Sequence, residues 1–111
     1  MSSGLDRLAA RIVVHAGEKA LAIVTAESCT AGTLAALLAD APGAGSCFQG
    51  GFVTYAKACK TRLLGVPAVL IAAHTAVSRE VAERMATGAL DASGADVAVA
   101  VTGVLGPEPD E

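Results

Sequence analysis

The chain has 111 residues, enough for one domain with a true hydrophobic core, and a formal net charge of −3. Apolar residues make up 53% but aromatics only 3%, and Lys and Arg nowhere cluster, so neither ring stacking on bases nor a basic nucleic-acid footprint is visible. No apolar run reaches the roughly 18 residues of a membrane span, and the N-terminus lacks the charged-then-apolar layout of a signal peptide.

Three cysteines, Cys29, Cys47 and Cys59, show no C-x-x-C spacing and no histidine at ligand distance in sequence. An odd count without a secretion signal reads as reduced thiols in the cytoplasm, with no metal site and no cofactor expected.

In chain order, Leu5, Leu8, Ala9, Ile12, Val13 and Ala16 recur at helical spacing, and Gly17 follows as a stop. Ser3 and Asp6 have the spacing of a capping box at its start. Ala20 to Thr25 is a short apolar run of the kind buried on both faces, which favours a parallel strand. A second helix is expected from Thr33 to Ala41, ended by Pro42-Gly43. Phe48 to Tyr55 reads as extended, with Gly50-Gly51 marking a bulge or a close backbone approach. Ala56 to Leu64 and Pro67 to His74 read as short helices.

Ser78 then has the place of an N-cap before the stripe Val81, Ala82, Met85, Ala86, Ala89 and Leu90, with Glu80 and Arg84 as an i,i+4 pair. Asp96 to Val101 is the second buried strand, and it delivers Thr102-Gly103 at its end. Residues 106–111 read as a polar, mobile tail. Strands alternating with helices predict a single α/β domain over 1–111, with ligands outside the carboxyl ends of the strands.

The chemistry concentrates in Ala26-Glu27-Ser28-Cys29-Thr30-Ala31-Gly32, between the first strand and the second helix. A hydroxyl or thiol there sits beside helix N–H groups that can hold a phosphate or an oxyanion. A Ser or Thr at such a place is most often a plain N-cap, and Cys29 is more often a small buried residue than a nucleophile. Glu27 reads equally as a ribose ligand or an ion-pair partner. Lys57 and Lys60 follow the second strand; a desolvated lysine can act as a base, although surface solvation is the default. His15 reads as structural or partly exposed, His74 lies nearer the strand exits, and no Ser-His-Asp triad, Walker sequence or G-x-G-x-x-G assembles.

From Thr25 to Pro107 the sequence resembles the CinA C-terminal domain family of nicotinamide-nucleotide amidohydrolases. The resemblance is carried by Thr25-Ala26-Glu27-Ser28-Cys29-Thr30, Gly51-Phe52-Val53-Thr54-Tyr55, Leu64-Gly65-Val66, Ala76-Val77-Ser78, and Gly94-Ala95-Asp96 leading to Thr102-Gly103 and Gly106-Pro107. It implies a three-layer α/β/α sandwich and metal-free hydrolysis of nicotinamide mononucleotide (NMN) to nicotinate mononucleotide and ammonia in pyridine-nucleotide salvage. It assigns Ser28 as nucleophile and Lys60 as base, with Thr30, Gly32 and Tyr55 lining the substrate pocket and Thr102-Gly103 closing it. Glu27 and Ala31 join the substrate-binding set as members of the same turn.

The chain also departs from that pattern. Ala31 and Thr75 replace glycines, Ala56-Lys57 replaces Ser-Asn, and Glu108-Pro109-Asp110-Glu111 replaces a glycine-rich segment. Family members continue with further strands and a helix, so two expectations stand: a truncated piece of a longer chain, or a short form that completes itself through a partner. The alternative function is a non-catalytic nucleotide-binding or protein-interaction domain of the same fold; an amidase with another substrate is a third. A sheet that ends early exposes an edge, which predicts a homodimer or higher homo-oligomer.

Overall fold

A computed structural model describes residues 3–104, so the tail expected over 106–111 lies outside the described residues. The elements are α1 (Gly4–Glu18), β1 (Ile23–Glu27), α2 (Thr33–Ala39), a short 3-10 turn (Ala44–Ser46), β2 (Phe48–Val53), α3 (Lys57–Leu64), α4 (Ala68–His74), α5 (Arg79–Ser93) and β3 (Val97–Val101).

The three strands form a parallel sheet in the order β2-β1-β3. Because β1 is central, all five of its residues are buried, as its unbroken apolar character predicts. On one side Val24 and Ala26 pack against Leu64, Val66, Ile71, Val81, Met85 and Ala89 of the α3–α5 layer. On the other, Ile23 packs with Ala9, Val13 and Ala16 of α1 and Leu38 of α2. Full burial of side chains such as Val24, Val81 and Met85 stabilises the fold by roughly 1.5–3 kcal/mol each. The architecture is the expected three-layer α/β/α sandwich.

Local signals set most of the element ends. Ser3 and Asp6 form a reciprocal capping box, Ser78 accepts from the Val81 amide, and Gly65 and Gly94 close α3 and α5 in left-handed conformation. The bulge falls at Gln49-Gly50, where the β1–β2 register skips a residue. Gly51 is the close approach: a Cβ there would collide with the Thr25 hydroxyl.

Several boundaries and faces differ from expectation. Strand β1 runs from Ile23 to Glu27 rather than from Ala20, because Ala20 is in a positive-φ turn and the Leu21 amide still bonds the Ala16 carbonyl of α1. Helix α2 stops at Ala39 and β2 at Val53, each two residues early. Strand β3 is not buried on both faces: Val97 and Val99 are exposed. Helix α5 covers its other face, whereas α2 lies over β1 and β2. In α1 only Ala9, Val13 and Ala16 are buried, and Leu5, Leu8 and Ile12 face outward. Glu80 stands 3.8 Å from His74, and the i,i+4 pair on α5 is Arg79–Glu83 at 3.5 Å.

Candidate active site

The site forms where the carboxyl ends of all three strands meet. The Ser28 amide donates to the Val101 carbonyl of β3, and the Thr54 amide donates to the Glu27 carbonyl of β1. Lys60 lies one turn into α3, and burial of that helix against α5 turns its side chain inward. Its ammonium nitrogen is 3.0 Å from Ser28 Oγ, 2.8 Å from the Thr54 carbonyl and 3.3 Å from the Tyr55 carbonyl. Lys60 is 1% exposed and Ser28 7%. A closed ring of contacts results, from Glu27 to Thr54, Thr54 to Lys60, Lys60 to Ser28, and back along the chain to Glu27.

A lysine so deeply buried is uncommon, since a surface position costs nothing in desolvation. The contacts suit either protonation state. An ammonium donates to all three oxygens; a neutral amine donates to the two carbonyls and turns its lone pair toward the serine hydroxyl. The geometry also separates the two lysines: Lys57 is exposed and lines a cleft of about 440 Å³ between α3 and α4 with Thr61, Ile71 and Thr75.

Glu27 is not a free ligand group. It is wholly buried, and its carboxylate accepts from the Thr30 hydroxyl at 2.6 Å and from the Leu34 and Ala35 amides at 2.8 Å each. Burial pushes the carboxyl up, but these bonds and one from the Gly32 amide outweigh it, so Glu27 titrates below the ordinary glutamate range. The N-terminus of α2 is therefore filled by the protein's own carboxylate, which overturns the expectation that this end holds a phosphate or an oxyanion. Among the described residues, the Cys29 and Thr30 amides of the turn remain without a protein acceptor.

The other expected residues are distributed around the pair. Thr30 is committed to Glu27. Ala31 has φ 50 and Gly32 has φ 100, which explains why glycine suits both positions. The Tyr55 side chain is 71% exposed, although its carbonyl touches Lys60. Thr102 donates to the Ala76 carbonyl, and Gly103 lies against Cys29, whose Sγ would be 3.3 Å from an added Cβ. His74 pairs with Glu80 and His15 with Glu18, both at 3.8 Å and outside the ring. Thr54 carries no sequence signal as a site residue, because it acts through its backbone carbonyl, which residue type does not mark. All three cysteines are free thiols.

Fold and site together define a class, a parallel α/β/α domain with a buried Ser–Lys pair at the carboxyl edge of its sheet. The model of the CinA C-terminal domain matches residues 5–111, and the chain belongs to that family. A CinA-like protein of Mycolicibacterium gilvum is 61% identical over 85 residues, covering 77% of this chain and 20% of its own. Another from Mycobacterium marinum is 50% identical over 105 residues, 95% of this chain and 24% of its own. The chain thus spans about a fifth to a quarter of these curated relatives. Among solved structures, a competence/damage inducible protein of Agrobacterium tumefaciens aligns with TM-score 0.94 at 40% identity over 100% of this chain and 67% of its own. A CinA superfamily protein of Escherichia coli aligns with TM-score 0.94 at 35% identity over 100% of this chain and 66% of its own.

Proposed function

We propose that this domain is an amidohydrolase of the Ser–Lys type, and that its substrate is the carboxamide of a nicotinamide nucleotide, NMN foremost. The observation that carries the reading is the 3.0 Å contact between Lys60 Nζ and Ser28 Oγ, both buried where the strands end. Such a contact is within the reach a general base needs, and a Ser–Lys dyad is an established way to activate a serine.

In the proposed cycle neutral Lys60 takes the Ser28 proton as Oγ attacks the carboxamide carbon. The resulting oxyanion is held by the Cys29 and Thr30 amides, in place of the occupied α2 terminus. Collapse expels ammonia, which leaves with the proton that Lys60 returns. Water, deprotonated by Lys60, then attacks the acyl-serine; the C–Oγ bond breaks, Lys60 returns that proton to Ser28 Oγ, and the acid product leaves as its carboxylate. Thr54 and Tyr55 carbonyls keep the amine aimed throughout, because a neutral amine retains two N–H donors for them.

The test is ammonia release from NMN. Ser28→Ala is expected to lower turnover by on the order of 10³-fold or more while circular dichroism stays unchanged. Unaltered turnover overturns the serine mechanism and transfers attention to Cys29. The exposure of the Tyr55 side chain, 71% rather than folded over Ser28, favours a second reading, a nucleotide-binding domain without turnover. A thermal shift with NMN and no ammonia from the wild type supports that one.

A further inference from the structure

We infer that Glu27 is the positioning residue of the Ser28–Lys60 pair, acting through the turn it closes and touching no substrate; the inference rests on the proposed amidohydrolase reading. The cap residue of α2, Gly32, has no side chain to make a capping bond; the Thr33 amide turns to the Thr30 carbonyl, but the Leu34 and Ala35 amides would lack acceptors. Glu27, a strand residue seven positions before Leu34 and eight before Ala35, supplies them. One oxygen of Glu27 takes the Thr30 hydroxyl and the Leu34 amide, the other the Ala35 amide. The carboxylate thereby ties the end of β1 to the start of α2 across residues 28–32. Ser28 and the Cys29 and Thr30 amides all lie inside that closed segment.

The same residue is held from the other direction. Its carbonyl accepts from Thr54, whose own carbonyl accepts from Lys60. Glu27 is therefore joined by hydrogen bonds both to the turn carrying the nucleophile and to Thr54 at the end of β2, whose carbonyl holds the base on α3. A glutamine has the same shape, but its NH2 cannot accept, so one of the donors on that side loses its acceptor and the turn is released. Because Glu27 is wholly buried, that release moves Ser28 relative to Lys60 without altering a contact to substrate.

The experiment compares wild type, Glu27→Gln, Thr30→Val and the double variant by ammonia release from NMN and by amide hydrogen exchange at pH 7. A positioning role predicts that Glu27→Gln lowers kcat by about tenfold to a hundredfold with KM within about twofold. It also predicts that the double variant is no worse than Glu27→Gln alone, because both changes open one cradle. A raised KM with unchanged kcat would instead make Glu27 a substrate ligand and overturn the inference. So would unchanged kcat at a temperature where the variant is folded. Exchange separates this from the catalytic reading. If the wild type releases no ammonia, about tenfold faster exchange at Leu34 and Ala35 in Glu27→Gln still supports the tie, with β1 amides unchanged. Unchanged exchange there overturns it.

Discussion

Ala31 and Glu27 show how much of this site is local stereochemistry and charge. An L-residue at φ 50 crowds its Cβ against the backbone, at roughly 1–2 kcal/mol, and glycine escapes that crowding but loses more freedom on folding. Ala31→Gly is therefore expected to stabilise the chain by about 0.5 kcal/mol, read as a small rise in Tm. For Glu27 the sign follows from its depressed titration. Its contribution is complete above the ordinary value of 4.5 and fades as pH falls from there through the lower folded-state value. Melting curves of wild type and Glu27→Gln should accordingly converge below pH 4.5 and separate above it. Lys60→Met keeps the stem that packs in the interior but removes the amine. Thr54 and Tyr55 carbonyls then lose a donor, so loss of turnover should come with destabilisation of about 1–3 kcal/mol by urea unfolding.

At the scale of elements, the packing of α5 on α3 depends on a position with no side chain. A Cβ at Gly88 would run into the Leu64 carbonyl, a backbone atom that cannot move without shifting the end of α3. Gly88→Ala raises helix propensity yet should destabilise by about 1–3 kcal/mol, because overpacking outweighs the propensity gain. Lys60 sits on that same helix, so the substitution should also lower turnover. Helix α1 gives the opposite lesson. Its periodic stripe is six residues wide, but only the three small or medium ones, Ala9, Val13 and Ala16, meet Leu38 and Ile23. Periodicity locates an apolar face; how much of it is covered depends on what lies opposite.

For the whole molecule, the sheet is covered along one face and only partly covered on the other. Helix α5 covers both β1 and β3, whereas α2 packs chiefly over β1 and β2. Val97 and Val99 are consequently 38% and 42% exposed. Val99→Thr in this chain should cost under about 0.5 kcal/mol, as at other surface positions, while Met85→Ala, fully buried, should cost about 2–5 kcal/mol. Static light scattering reads the expected self-association directly: a dimer mass supports it, and a monomer mass overturns it. Among the described residues no helix is long and apolar enough to cross a membrane.

The alternation of apolar runs and helical stripes and the Ser3–Asp6 and Ser78 caps were legible from residue order, because each is set by near neighbours in the chain, whereas the irregularity expected at Gly50-Gly51 divides into a bulge at Gln49-Gly50 and a close approach at Gly51. The motif resemblance also picked out Ser28 and Lys60. Their proximity is different in kind. It joins residues 32 positions apart and exists only because β1 and β2 pair in parallel and α3 packs on α5. Glu27 changed role for the same reason: its type allowed a ribose ligand or an ion pair, and the approach of α2 decided for a buried helix anchor. The exposed flank of β3 was likewise unreadable, since a strand's own residues cannot report which neighbour lies over them. Short-range order follows from the chain's local stereochemistry; burial, partners and protonation are properties of the packed assembly of elements.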